Sequence, residues 1–184
     1  MGLGFFRNLK KALVLRRLQR NRLEGYRAPS QKIANLISSF FCIGYIPGCP
    51  GTAASLATLL IVFSTPLLPV GYSLGIALAL TAIGLLAVKR SLPNSVNQDP
   101  SWIVIDEVVG MLIALIAVPQ QWGWYFLAFA VFRLLDIFKP FPIGFIDRRL
   151  PGCWGVLGDD IVAGVITRLL LWLVAVFIAW FTCV

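Results

Sequence analysis

Long apolar stretches separated by short polar joints dominate the chain, and most of them read as membrane-spanning helices. Thr52 to Pro69 and Val70 to Val88 are apolar, meet near Pro66 and Pro69, and close on Lys89-Arg90, which predicts a helical hairpin through a bilayer. Ile103 to Val118 is a third stretch. It carries Asp106 and Glu107 in its first turn, with Trp122 and Trp124 beyond its far end, where interfacial aromatics belong. Trp124 to Phe138 returns as a fourth, with Arg133 and Asp136 near its end and Pro140 to stop it. Ile161 to Phe181 is the fifth, opened by Asp159-Asp160, either of which suits a cap in a first turn. Lys32 to Tyr45 is apolar but short and runs into Pro47-Gly48-Cys49-Pro50-Gly51, so a re-entrant or interfacial segment is expected there. The predicted fold class is therefore all-α, a polytopic helical membrane protein of about five transmembrane helices plus that N-terminal segment.

Composition agrees. Of 184 residues 59% are apolar and 13% charged, with a mean hydropathy of +0.85, which does not fit water on all sides. The net charge of +8 is an N-terminal feature, because nine of the sixteen Lys and Arg precede Ile33. The expected division is a basic cytoplasmic or interfacial segment over 1–31 and a membrane-embedded catalytic domain over 32–184. In the first of these, Phe5 to Leu13 places its apolar residues opposite Arg7, Lys10 and Lys11, as an interfacial helix does. Contact with anionic headgroups accounts for the basic segment more simply than nucleic acid does, so no nucleic-acid partner is expected. Nor does the charge-studded start suit a cleavable signal peptide. The four cysteines show neither a CxxC pair nor zinc-like spacing with histidine, which the chain lacks.

The charge distribution also orients the spans. The basic N-terminus, Lys89, Arg90, Lys139, Arg148 and Arg149 all fall on one side, while the loops near Pro66 and Gln121 carry no charge. That side is expected to be cytoplasmic. Six of the eight acids then gather on the same face: Asp106, Glu107, Asp136, Asp147, Asp159 and Asp160. Avoidance of the apolar core explains their depth but not their number, since a face poor in acids satisfies the positive-inside rule equally well. Carboxylates in such a group are ligands for a hard cation such as Mg²⁺, usually with phosphate and water completing its shell.

Arg133, Asp136 and Lys139 are spaced by three and are predicted to share one helix face, with the Arg fork and the Lys suited to a phosphate monoester. Pro50-Gly51-Thr52 opens a helix from the same side, offering backbone N–H groups to an anion, with Thr52 and Ser55 adding hydroxyls one turn apart. Several mechanisms are excluded. Without histidine there is no histidine phosphatase; no Cys precedes an Arg by six, no Asp-x-Asp pair is present, and no Gly-x-x-x-x-Gly-Lys loop occurs. What remains is attack of water on phosphorus with the help of a metal and a carboxylate base.

Three stretches together resemble the phosphatidylglycerophosphatase A family. They are Ile46 to Ser55, Ile105-Asp-Glu-Val-Val-Gly-Met111, and the run from Phe132-Arg-Leu-Leu-Asp-Ile-Phe-Lys-Pro140 through Asp147 to Gly158-Asp-Asp-Ile-Val-Ala-Gly164. The resemblance covers roughly Ser38 to Leu170. It implies a bacterial inner-membrane enzyme facing the cytoplasm that needs Mg²⁺ and converts phosphatidylglycerophosphate to phosphatidylglycerol, with the bilayer and this phospholipid as partners. It marks Asp106, Glu107, Asp136 and Asp147 for catalysis. It marks Asp106, Glu107, Asp136, Asp159 and Asp160 for the metal, and Arg133, Lys139, Gly51, Thr52 and Ser55 for the phosphate. Ala54-Ser55 departs from the family's Gly-Ser pair, and Cys153-Trp154 from a glycine-rich loop. The competing readings are a small ion-coupled transporter or Mg²⁺-binding channel, whose acids should approach the midplane, and a membrane-anchored scaffold.

Overall fold

Proline and glycine set the helix boundaries in the computed structural model, which describes residues 29–92, 100–150 and 152–182. All regular elements among these residues are helical: α1 (Pro29–Ser38), a short 3-10 turn (Ile43–Tyr45), α2 (Pro50–Ser64), α3 (Val70–Ser91), α4 (Ile105–Ala114), α5 (Trp122–Phe138), α6 (Ile143–Arg149) and α7 (Cys153–Thr182). Pro50 opens α2, where its missing N–H costs nothing. The helix expected over Phe5 to Leu13, most of the basic segment over 1–31, Glu24, Asp99 and Cys183 lie outside the described residues.

Among the described helices, α3 with 22 residues and α7 with 30 are long and apolar enough to cross a membrane. They span about 33 and 45 Å at 1.5 Å per residue. Both leave most of their apolar surface outward, unlike the buried core helix of a water-soluble protein. The other three expected spans form shorter helices. α2 stops at Ser64 because Pro66 and Pro69 hold the following chain extended. α4 has ten residues and ends in a turn closed by Ala117 at a positive φ of 55°. α5 has 17 residues and ends where Lys139 adopts a left-handed conformation ahead of Pro140.

One sequence expectation changes here. Asp159 and Asp160 do not cap α7, which begins six residues before Asp159 at Cys153. Gly152, at φ +66°, makes the turn, and its carbonyl accepts the N–H groups of Gly155 and Val156, so winding starts there. The segment from Pro140 to Leu150 contains α6.

α4 and α7 are the central pair. Gly110 and Gly164 face each other across their crossing: a methyl on Gly164 would overlap the Gly110 carbonyl, and one on Gly110 would lie 2.6 Å from the Asp160 carbonyl. Leu59, Met111, Tyr125, Phe132 and Leu171 form one apolar cluster, and Val88, Ile105, Val108 and Leu157 another. At one end of the bundle Val104 donates its N–H to Ser38, whose hydroxyl lies 3.2 Å from that of Ser91. At the other, the Gln120 amide donates to the carbonyls of Phe63 and Thr65. Arg168, eight residues beyond Asp160, reaches the Ala117 carbonyl at 3.4 Å, in the turn that follows the short α4.

Candidate active site

The crossing of α4 and α7 at glycine puts carboxylates face to face one turn away. Asp106 precedes Gly110 by four positions, and Asp160 precedes Gly164 by four, so both acids lie on the crossing faces of their helices. Asp106, Glu107 and Asp160 each bring one carboxylate oxygen to within 4.8 Å of the others. Asp106 and Asp160 are buried, at 6% and 3% exposure. The charges of Asp136, Glu107 and Asp159 all act on Asp160.

Glu107 reaches inward because residue 51 is glycine. A methyl there would overlap Glu107 Oε1 and lie 3.4 Å from Arg133 Nη1. Gly51 thus serves as space in the structure, within the first turn of α2. Ser55 is fully buried and donates its hydroxyl back to the Gly51 carbonyl at 3.0 Å, while Thr52 is half-buried beside it.

Arg133 and Lys139 do not share the face their spacing predicts. Arg133 Nη1 donates to Asp136 Oδ2 at 2.5 Å, within α5. Lys139, turned off the helix by its left-handed backbone, donates from Nζ to Asp147 Oδ1 at 2.9 Å and to Asp159 Oδ2 at 2.6 Å. Burial lowers the affinity of the Lys139 amine for its proton, but its hydrogen bonds to Asp159 and Asp147 outweigh this and raise its pKa above the ordinary lysine range. The eight charged residues form two adjoining groups. The inner one has Asp106, Glu107 and Asp160 beside the Arg133–Asp136 pair; the outer one has Lys139 between Asp147 and Asp159. Asp136 and Asp159 stand outside the three-carboxylate group.

The inner group fits a divalent cation. Glu107 Oε2 and Asp160 Oδ1 are buried oxygens that no described donor reaches, as is Asp159 Oδ1 in the outer group. Four carboxylates there, with Asp136, face one guanidinium, and hard oxygen donors at this spacing are what Mg²⁺ binds. Buried Arg133 Nε also lacks an acceptor, which leaves a donor for an anion arriving beside the carboxylates. The spacing of Gly110 and Gly164 from the acids was present in the sequence, but a helix crossing is needed to give it meaning.

Comparisons with known proteins place the chain in a family. The profile of the family described as Phosphatidylglycerophosphatase A matches residues 36–175, which include every residue of both groups. Phosphatidylglycerophosphatase A of Escherichia coli K12 is 37% identical over 142 residues, covering 76% of this chain and 82% of that protein. Its Haemophilus influenzae namesake is 37% identical over 133 residues, covering 71% and 82%. A Bacteroides thetaiotaomicron protein provisionally named a phosphatidylinositol-3-phosphatase is 38% identical over 144 residues, covering 74% and 89%. No solved structure matches the chain significantly. Profile and relatives together establish that this chain belongs to the phosphatidylglycerophosphatase A family.

Proposed function

We propose that the protein hydrolyses the terminal phosphate of phosphatidylglycerophosphate, giving phosphatidylglycerol and inorganic phosphate, at the cytoplasmic face of a bacterial inner membrane. The observation that carries this reading is the group of Asp106, Glu107 and Asp160 within 4.8 Å, set beside a guanidinium and an ammonium in a family of lipid phosphatases. The outward apolar surfaces of α3 and α7 support a membrane setting. In this reading α2, α4 and α5 cross as well, completing five spans around the site.

Asp106, Glu107 and Asp160 would hold Mg²⁺, with Asp136 and Asp159 as neighbours able to join. When bound, the cation would offset the charge of the phosphoryl oxygens and make water more acidic. Arg133 turns its fork toward the non-bridging oxygens, so the Arg133–Asp136 pair loosens as phosphate enters. Lys139, with two of its three donors on Asp147 and Asp159, has a third for the same phosphate. A carboxylate accepts the proton of the attacking water, and the leaving glycerol oxygen is protonated in turn. Gly51 and Thr52 line the approach from α2, and buried Ser55 fixes that turn.

The test is phosphate release by purified protein in detergent, with phosphatidylglycerophosphate and phosphatidylinositol 3-phosphate as competing substrates. Release from the first, abolished by EDTA and restored by Mg²⁺, is expected. Preference for the inositol lipid would overturn the substrate, and release unaffected by EDTA would overturn the metal. The transporter reading has less support, because the clustered acids lie in the first turn of α4, about two turns into the 30-residue α7 and in the last turn of α5, all toward one end of the bundle.

A further inference from the structure

The corner where α5 turns into α6 displays aromatic side chains that the packing of the bundle does not use. Phe138 is 74% exposed, Phe141 85% and Trp154 60%. Single exposed apolar residues are ordinary, but several large aromatics together mark a surface that meets something other than water. Phe141 and Phe145 touch edge to face, their centroids 6.2 Å apart. Trp154 sits in the first turn of α7, next to Gly155, whose Cα packs under the Leu150 carbonyl at the end of α6.

This patch belongs to the charged end of the bundle. Lys139 lies between Phe138 and Phe141 in the chain, and its ammonium bridges Asp147 and Asp159. Arg148 and Arg149 close α6, and the Arg149 guanidinium stands 4.7 Å from the centre of the Phe145 ring. Rings rimmed by cations match a bilayer interface, where aromatics lie at headgroup depth and arginines meet lipid phosphate. The corner is also held to the site: a methyl on Gly144 would press on the Lys139 carbonyl, and Gly158 packs against Ile146 and Leu150.

We infer that the α5–α6 corner is the lip on which the lipid substrate is seated. Phe138, Phe141 and Phe145 enter the cytoplasmic leaflet, Arg148 and Arg149 hold anionic lipid phosphate, and the acyl chains lie along the rings while the headgroup turns in toward Lys139. The inference rests on the lipid-phosphatase reading, and it adds a determinant for the lipid part of the substrate that lies outside the carboxylate site.

The test compares wild type with the double variant Phe141→Ser/Phe145→Ser on two substrates. One is phosphatidylglycerophosphate diluted in mixed micelles; the other is water-soluble glycerol phosphate. Losing two interfacial rings should raise the micellar KM by about tenfold or more, with kcat and glycerol phosphate turnover unchanged within about twofold. An equal loss on both substrates would overturn the inference, because the rings would then be supporting the site itself; unchanged micellar KM would overturn it too. A wild type inactive on both substrates would instead refute the phosphatase reading. Benzoylphenylalanine at position 141, irradiated in vesicles of phosphatidylethanolamine and phosphatidylglycerol, then decides the lip independently. Lipid adducts support it, and protein–protein adducts in their place overturn it.

Discussion

Asp160 stands among like charges with an oxygen that no described donor reaches. At 4.8 Å and an effective dielectric near 20, a pair of carboxylates repels by about 3 kcal/mol. Without metal, Asp160→Asn should therefore raise the thermal midpoint of the purified protein. It should also remove the upward shift that Mg²⁺ gives wild type, both read by unfolding in detergent. A lower midpoint with the Mg²⁺ shift intact would place the cation elsewhere. Lys139 carries the opposite sign. Its raised affinity for the proton favours the folded state fully below the unfolded lysine pKa, and that gain is lost only as pH rises through the higher folded value. Its charge therefore contributes no alkaline limb to the rate profile below about pH 10. Lys139→Met should lower kcat/KM by about 100-fold, and Lys139→Arg should recover part of it. The residue identities of the site were legible in sequence, because acids and an arginine so placed in an apolar chain have few other uses. Their pairing was not: the left-handed turn at Lys139 breaks the period of three that joined it to Arg133.

Close helix approach, rather than any single charge, sets the spacing of the carboxylates. Gly110→Ala and Gly164→Ala each force α4 and α7 apart, with an overpacking cost of about 1–3 kcal/mol. Both variants should lose activity at ordinary Mg²⁺ and recover part of it at higher Mg²⁺, read as the concentration for half-maximal rate. Gly51→Ala should behave similarly through Glu107, which it displaces. A normal Mg²⁺ requirement in all three would separate helix spacing from metal binding. Helix existence followed from the apolar stretches, whereas the ends did not. Pro66 shortened α2 as a proline should, but the end of α4 at Ala114 depends on the turn through Ala117, where an unremarkable apolar sequence takes a positive φ. Arg168 donates to that turn from within α7.

Across the described residues, an apolar exterior surrounds the bundle and the acids collect at one end, with Arg168 reaching toward the other. Cys42 and Cys49 are exposed and flank the approach to α2 at the acidic end. In a Cys183→Ser background, a membrane-impermeant maleimide should label them in inside-out vesicles and leave right-side-out vesicles unlabelled. The reverse pattern would invert the orientation. Overall class was plain in composition, since 59% apolar residues leave no polar shell, but the division into long and short helices needed the three-dimensional positions of the turns. The central claim is that Asp106, Glu107 and Asp160 form one metal-dependent site for lipid phosphate. The measurement that tests it most directly is inorganic phosphate released from phosphatidylglycerophosphate by wild type, Asp106→Asn and Asp160→Asn at equal folded concentration, with and without Mg²⁺. Mg²⁺-dependent release by wild type and a loss of at least about 100-fold in both variants is the expected result. Near-normal release by either folded variant would contradict it.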